Sequence, residues 1–421
     1  MIKTFSLGTG ITLRCIPDSR FKHGCLSIQF IRPGCREETS LNALLPAVLL
    51  RGSRSCPDLR HITLRLDELY GASIGTHVRR VGDWQTTGLY ASFLEDRYAM
   101  EGDRVFAGVA SFLKELLLEP CLEQGTFRAD YVESEKTNLI STMEASRNDK
   151  QAWAMSQLLI RMCREDPYGI PRLGEPDWVR EITAESLYRH YEKVLSQTPV
   201  ELCYVGGVDP EQVACALRGL LDGVERNCGS LPEQTGFRAG PEGTYCETME
   251  VNQAKLCLGF TCPVTIREKG FAAMQVLNLI YGGGMTSKLF MNVRERLSLC
   301  YAIGSSYHGS KGILTVYAGI DSQAEEVVLG EILRQLELCR EGQITDEELD
   351  SAKQALRSSL MAVHDSPGAL ESYYSSGVLS GMALDTRQYM ALVDQVTKEQ
   401  VVELAAGIKL HTSYFLKGVE A

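Results

Sequence analysis

The feature that most constrains this chain is an internal duplication. Residues 72–93 read ASIGTHVRRVGDWQTTGLYASF and residues 301–320 read YAIGSSYHGSKGILTVYAGI. Each stretch alternates between apolar and polar residues around a turn, which is typical of a β-hairpin. A repeat of this length indicates two related structural units rather than one large core.

The order of the elements after each hairpin is also repeated. An amphipathic helix follows, and then a second helix in which Lys136 aligns with Lys353. Helices are predicted to begin at Thr183, Thr345 and Thr397, because a threonine hydroxyl can accept a hydrogen bond from a free backbone N–H of the first turn. The same succession of strands and helices therefore occurs twice.

These patterns predict an α+β protein with two tandem, homologous, layered domains. The predicted boundaries are 1–222 for the first domain and 245–421 for the second. Residues 223–244 are rich in Gly, Pro and polar residues, which favours a linker. A chain of 421 residues has the length expected for two such domains.

Charge and composition argue against several classes of function. The formal net charge is −11, and the basic residues do not gather into a stripe, so nucleic acid is not an expected partner. We find no run of about 18 apolar residues and no apolar core of a signal peptide near the N-terminus, so we expect a cytoplasmic protein without a membrane partner.

The 14 cysteines form no Cys-x-x-Cys motif and are expected to be reduced, mostly buried thiols. No two of the 7 histidines lie within five residues, so no local zinc motif is present.

One glycine-rich stretch, YGGGMTSKLFMNVRERLSLCYAIG, could carry chemistry. It does not match a phosphate-binding loop, because Lys288 follows Ser287 where that motif has the opposite order. We expect the glycines to end a helix, a second helix to follow, and a strand to begin at Leu299. Arg294 and Tyr301 then also have ordinary structural roles available. Arg294 can be a cation near a helix C-terminus, and Tyr301 can be an aromatic residue on a half-buried strand.

The same stretch resembles the C-terminal signature of the insulinase, or pitrilysin, family of zinc peptidases. The resemblance rests on Gly282–Phe290, on Arg294-Glu295 and on Leu299-x-Tyr301. It extends to DPYGIPRLGEPDWVREITAESLYRHYEKV and VGGVDPEQV, and so covers nearly the whole chain. It implies two tandem domains of the fold shared by LuxS-type and mitochondrial-processing-peptidase-type metallohydrolases, which together form half of a clamshell chamber.

Members of that family carry His-x-x-Glu-His on a helix of the first domain, with a further glutamate on a later helix. Two histidines at i and i+4 share one helix face and can bind one zinc, while the glutamate accepts a proton from water. Alignment on Arg51-Gly52-Ser53 places SLNALLPAVLLRGS on this motif, so that the motif positions hold Ala43, Pro46 and Ala47, and the later glutamate position holds Thr142. None of these side chains can replace the residue it aligns with. Because proline disrupts a helix interior, a kinked or late-starting helix is expected.

Arg294 and Tyr301 remain at the spacing that the family uses to hold a substrate carbonyl. The resemblance therefore implies a non-catalytic subunit of a heterodimeric zinc peptidase, inactive alone, that contributes part of a peptide-binding chamber to a homologous zinc-bearing subunit. No metal is expected in this chain, and zinc is expected in the partner. The chain lacks the long glycine-rich lid of the mitochondrial inactive subunit, so presequence recognition is not implied.

Two alternatives stay open. The chain could be a catalytically inert scaffold of the same fold, in which Arg294 and Tyr301 are remnants. It could also be an independent metallopeptidase with relocated ligands, although its isolated histidines argue against this. The sequence names neither the peptide substrate nor the partner, and it does not establish an activity of the chain's own.

Overall fold

A computed structural model describes residues 2–231 and 233–418. The described residues leave out Met1, Pro232 and residues 419–421. Each of these belongs to one of the predicted ranges 1–222, 223–244 and 245–421. The first half forms β1 (Lys3–Gly8), β2 (Ile11–Pro17), β3 (His23–Pro33), α1 (Arg36–Leu49), α2 (Leu59–Glu68), β4 (Ser73–Val81), β5 (Trp84–Leu94), α3 (Val105–Leu118), β6 (Leu122–Glu123), β7 (Thr126–Phe127), α4 (Ala129–Ser146), α5 (Lys150–Met162), α6 (Pro176–Arg180), α7 (Ala184–Gln197), β8 (Val200–Gly206) and α8 (Pro210–Leu217).

The second half repeats most of this order. It forms β9 (Gly243–Thr248), β10 (Ala254–Thr261), α9 (Phe271–Tyr281), a π-helical segment (Leu289–Arg296), β11 (Ala302–His308), β12 (Ile313–Ile320), α10 (Glu325–Arg340), α11 (Asp346–Ala362), α12 (Pro367–Ser380), α13 (Thr386–Asp394), α14 (Lys398–Gly407) and β13 (Lys409–Lys417). The predicted α+β class with a duplicated, layered architecture is confirmed.

Sheet topology shows the duplication most clearly. The first large sheet has the order β1-β2-β8-β3-β5-β4 and the second has β11-β12-β10-β13-β9. Read from the edge hairpin, the two orders coincide, and the first sheet has β1 as an additional edge strand. In each sheet one pair is parallel, β2 with β8 and β9 with β13. The predicted hairpins are the antiparallel pairs β4–β5 and β11–β12.

The chain divides into two compact units that exchange two segments relative to the predicted ranges and divide the predicted linker, 223–244, between them. Unit 1 comprises residues 1–143, 171–233 and 364–376, and unit 2 comprises residues 144–170, 234–363 and 377–421. The first half of the sequence thus supplies α5 to unit 2, and the second half supplies most of α12 to unit 1.

The helix that each unit receives packs on one face of its sheet, and the chemistry of the two contacts differs. In unit 2, Ala154 and Leu158 of α5 are fully buried in a cluster with Cys257, Tyr414 and Leu416. In unit 1 the contact is polar and is centred on one residue of α12, as described next.

Glu371 of α12 has a fully buried side chain in unit 1. It accepts hydrogen bonds from Ser27 Oγ at 2.7 Å and from Gln29 Nε2 at 2.8 Å, and its second oxygen pairs with Arg79 at 2.8 Å. A buried carboxylate is tolerated only when its charge and lone pairs are matched in this way. Glu371 therefore fixes the position of α12 on the sheet.

Predicted helix caps are present at the expected positions. Thr183, Thr345 and Thr397 each accept a hydrogen bond from the backbone N–H three residues later. The aligned pair Lys136 and Lys353 also has one role in both halves, because each ammonium group donates to carbonyl oxygens near a helix C-terminus, Ile182 O at 2.8 Å and Asp394 O at 3.3 Å. A cation at this end of a helix is favourable.

The segment between α8 and β9 contains no helix or strand among its described residues. Its second part is nevertheless anchored within unit 2. Phe237 N donates to Lys311 O and Arg238 N donates to Asp166. Lys311 and Asp166 form an ion pair of 2.9 Å in which both side chains are fully buried.

No helix in the described part of the chain is both long and apolar enough to cross a bilayer.

Candidate functional site

The three positions aligned with the zinc motif lie on α1, in unit 1. Ala43 is 7% exposed, Pro46 is buried and Ala47 is half-buried. The helix begins at Arg36 and continues through Pro46 to Leu49. Of the two expected forms, kinked or late-starting, the late-starting helix is therefore wrong, because α1 begins at Arg36, well before Pro46.

A neighbouring strand explains how α1 accommodates Pro46. Proline has no N–H, so the carbonyl of Asn42, four residues earlier, loses its helical donor. The hydroxyl of Thr87 on β5 donates a hydrogen bond to that carbonyl instead. Thr87 is almost completely buried, so the bond satisfies an acceptor that water cannot reach.

The side chain of Asn42 extends this polar contact. Its amide donates to Gln85 Oε1 at 2.8 Å, and its Oδ1 lies 2.8 Å from His190 Nε2. Burial lowers the pKa of His190 to about 4, so the ring is neutral at pH 7 and donates to the amide oxygen. His190, which contacts α1 through Asn42, is therefore engaged in a structural hydrogen bond.

Thr142, at the position of the third ligand, lies on the exposed part of α4, and its hydroxyl bonds to the Asn138 carbonyl of its own helix at 2.9 Å. The carboxylate that the structure brings to the end of α1 is Glu135, which pairs with Arg51 at 3.2 Å. Within residues 2–231 and 233–418, no three His, Cys, Asp or Glu side chains are arranged to hold a metal ion. Methyl groups, a proline ring and a hydroxyl do not form a zinc ligand set, so the residues at the motif positions do not fit the metal.

Arg294 and Tyr301 lie in unit 2, at either end of a short irregular turn. Arg294 is in the π-helical segment, whose i→i+5 character is shown by Leu297 N donating to Asn292 O at 3.1 Å. The predicted second helix is therefore present, but in π form. Ser298, in the turn that follows, has a φ of 51°, which is uncommon for a residue other than glycine. Both π-helical segments and non-glycine residues with a positive φ occur often at functional sites.

Both donors of the pair are accessible. The Arg294 side chain is 41% exposed, and Tyr301 is 71% exposed. Tyr301 N donates to Gly319 O at 2.9 Å, which ties its backbone to β12, and β11 begins at Ala302, three residues later than predicted. A guanidinium fork and a phenol that are both exposed can donate hydrogen bonds to a carbonyl oxygen or an oxyanion.

Several residues that matter here are not evident from the sequence. Thr87 and His190 are buried partners of α1, and Phe290 lies under the Arg294 guanidinium, whose central carbon is 4.6 Å from the ring centroid. Only Phe290 has a local signal, since residues four apart on a helix are neighbours. The nearby Ser287-Lys288 pair is structural, because Lys288 is buried and forms an ion pair of 2.8 Å with Glu348.

The chain is similar to several known proteins. A family model described as "Peptidase M16 inactive domain" matches residues 181–356. The chain is 29% identical over 411 residues to a "Probable inactive metalloprotease", YmfF, of Bacillus subtilis (strain 168), with 98% of this chain and 96% of that protein covered. It is also 29% identical over 202 residues to an "Uncharacterized zinc protease", YmxG, of the same bacterium, with 46% of this chain and 47% of that protein covered.

A solved structure is also similar. The crystal structure of a conserved protein from Enterococcus faecalis V583 superimposes with a TM-score of 0.91 at 28% sequence identity, covering 99% of each chain. The fold described above is therefore shared over the full length.

Proposed function

Because this chain is a relative of the insulinase/pitrilysin peptidases that lacks the zinc ligands of that family, we propose that it is the non-catalytic subunit of a heterodimeric zinc peptidase. The resemblance seen in the sequence is confirmed by the family model and by the relative named as a probable inactive metalloprotease. In the proposal, this chain supplies Arg294, Tyr301 and part of a peptide-binding chamber. A homologous partner supplies the metal.

The observation that carries the proposal is the contrast between the two units. In unit 1, the four motif positions hold Ala43, Pro46, Ala47 and Thr142. In unit 2, Arg294 and Tyr301 are kept with accessible side chains. With both side chains accessible, this pair is able to donate hydrogen bonds to a peptide carbonyl.

The physical role of the pair follows from the chemistry of amide hydrolysis. Negative charge develops on the carbonyl oxygen as the bond is attacked, and donors fixed in advance stabilise that charge without further reorganisation. Loss of one such donor typically lowers kcat by about 10²- to 10³-fold. Arg294 and Tyr301 would donate hydrogen bonds to this oxygen, and the zinc held by the partner would supply the activation of the attacking water.

The kind of partner is suggested by the relatives. Bacillus subtilis contains both a relative named as a probable inactive metalloprotease and one named as a zinc protease. One organism can therefore hold an inactive and a zinc-binding member of this group. By analogy, the expected partner is a homologous chain with an intact His-x-x-Glu-His motif.

Reconstitution tests the proposal. The tagged chain is recovered from its native cells, a co-purifying chain with His-x-x-Glu-His is identified by mass spectrometry, and each chain is then purified separately. We expect unstructured peptides to be cleaved by the mixture, to be cleaved little by the partner alone, and not to be cleaved by this chain.

Two other results would replace the proposal. Hydrolysis and stoichiometric zinc in the lone chain would establish an independent metallopeptidase. A stable complex with a protein that is not a peptidase, together with no peptide binding, would establish the scaffold alternative.

A further inference from the structure

The Arg294 side chain has two neighbours that restrict its orientation. Its guanidinium carbon lies 4.6 Å from the centroid of the Phe290 ring. Its Nε lies 3.6 Å from Glu295 Oε1. The guanidinium lies over the aromatic ring, and the carboxylate lies close to its Nε. Among the residues that the structure describes, no hydrogen bond is found for the outer N–H groups, so these can donate to a ligand.

The backbone that carries Phe290 and Arg294 is firmly held. Leu289 and Val293 are fully buried. Asn292 donates to the Lys288 carbonyl at 3.0 Å, a bond that supports the π-helical geometry, and to Gln335 Oε1 of α10 at 3.0 Å. Asn292 therefore points toward α10, and Phe290 and Arg294 contact each other elsewhere on the segment.

We infer that Phe290 is a positioning residue for Arg294, and that the two act as one unit in holding the substrate carbonyl. This inference rests on the proposed function. A free arginine side chain has many rotamers, and ordering it upon substrate binding weakens its effect. A guanidinium that is already stacked on an aromatic face loses less freedom when the carbonyl arrives.

The test is a double-mutant cycle in the reconstituted peptidase. We expect Phe290→Leu to lower kcat by about two- to five-fold, the size of an exposed cation–π contact, with KM unchanged because the donor acts mainly in the transition state. In an Arg294→Ala background the same substitution should have no further effect, since the group that it positions is gone.

Two further variants separate positioning from a structural role. Phe290→Tyr keeps the aromatic face and should retain nearly full activity, so that the cycle is also informative if Phe290→Leu lowers stability. Met291→Leu is the matched control, because Met291 is the next residue of the segment and is 49% exposed. It should not change kcat.

The possible outcomes distinguish this inference from the proposed function. If Arg294→Ala leaves the activity unchanged, the proposed function fails. If Arg294→Ala slows the reaction but Phe290→Leu has no effect, or slows it equally in both backgrounds, only the positioning role of Phe290 is overturned. Non-additive loss with rescue by tyrosine supports it.

Discussion

The way in which α1 accommodates Pro46 predicts that the effects of substitutions at Pro46 and Thr87 on stability depend on each other, although the two residues lie far apart in the sequence. Thr87→Val removes the hydroxyl that donates to the Asn42 carbonyl and keeps the shape of the side chain. Because this carbonyl has no helical donor, it would be left buried without a partner, at a cost of about 1–3 kcal/mol. Urea titration of the purified chain should show this loss in the free energy of unfolding.

Adjacent Thr86 provides a matched control. Its hydroxyl is also buried, but it has no hydrogen-bond partner in the part of the chain that the structure describes. Thr86→Val should therefore leave stability unchanged or raise it, because it removes a polar group whose hydrogen bond is already missing. The same substitution at two consecutive residues should have different outcomes.

A second background completes the test. In Pro46→Ala, residue 46 regains an N–H that can donate to the Asn42 carbonyl, as in an uninterrupted helix. Thr87→Val should then cost clearly less than it does with proline present. Equal effects of Thr87→Val and Thr86→Val, or an equal cost of Thr87→Val in both backgrounds, would refute the compensation between Pro46 and Thr87.

Two further predictions concern stability. Burial lowers the pKa of His77, His190 and His308 to about 4 in the folded chain, against 6.5 as the ordinary value. The unfolded chain therefore binds more protons between these values, and the free energy of unfolding should fall as pH decreases from about 6.5 to about 4, by at most about 1.4 kcal/mol per pH unit for each histidine. Denaturation series at several pH values check this, and an unchanged stability across the window would contradict it. Glu371→Ala should destabilise unit 1 by up to about 3–5 kcal/mol, because it leaves the half-buried Arg79 without its counter-charge and the buried Ser27 and Gln29 without their acceptor. Glu68→Ala, which removes an exposed partner of Arg65, should have little effect. Similar losses for both variants would count against the role given to Glu371.

The duplication made much of the fold predictable. Hairpins such as β4–β5 and β11–β12 are encoded by local alternation, and the caps at Thr345 and Thr397 depend on residues three positions apart. Even the shared role of Lys136 and Lys353 follows the sequence alignment, because both ammonium groups reach carbonyl oxygens near a helix C-terminus. Local patterns carry this information directly.

The exchange of α5 and α12 was not predictable in the same way. An apolar face such as that of Ala154 and Leu158 can pack on either sheet, and nothing local specifies which one. Glu371 finds its partners Ser27 and Arg79 about 300 residues away, so its burial cannot be read from neighbouring residues. The path of α1 through Pro46 depends in the same way on a distant hydroxyl.

For the candidate site, the sequence selects residues but does not give their geometry. The resemblance to the family signature selects Arg294 and Tyr301 as candidates, and it aligns Ala43 and Ala47 with ligand positions. It does not reveal the π-helical backbone or the left-handed Ser298. The π-helical segment packs against α10 and β11, and these contacts between distant parts of the sequence are not visible in the local pattern.

The central claim, that this chain contributes Arg294 to a metal site held by another chain, is tested most directly by the turnover of the reconstituted pair. Arg294→Ala should lower kcat by about 10²- to 10³-fold, with the zinc content of the pair and the association of the chains unchanged. Arg296→Ala, which removes an exposed cation two residues further along the same segment, should leave kcat nearly unaltered. An undiminished rate with Arg294→Ala, or equal losses for both arginines, would contradict the claim.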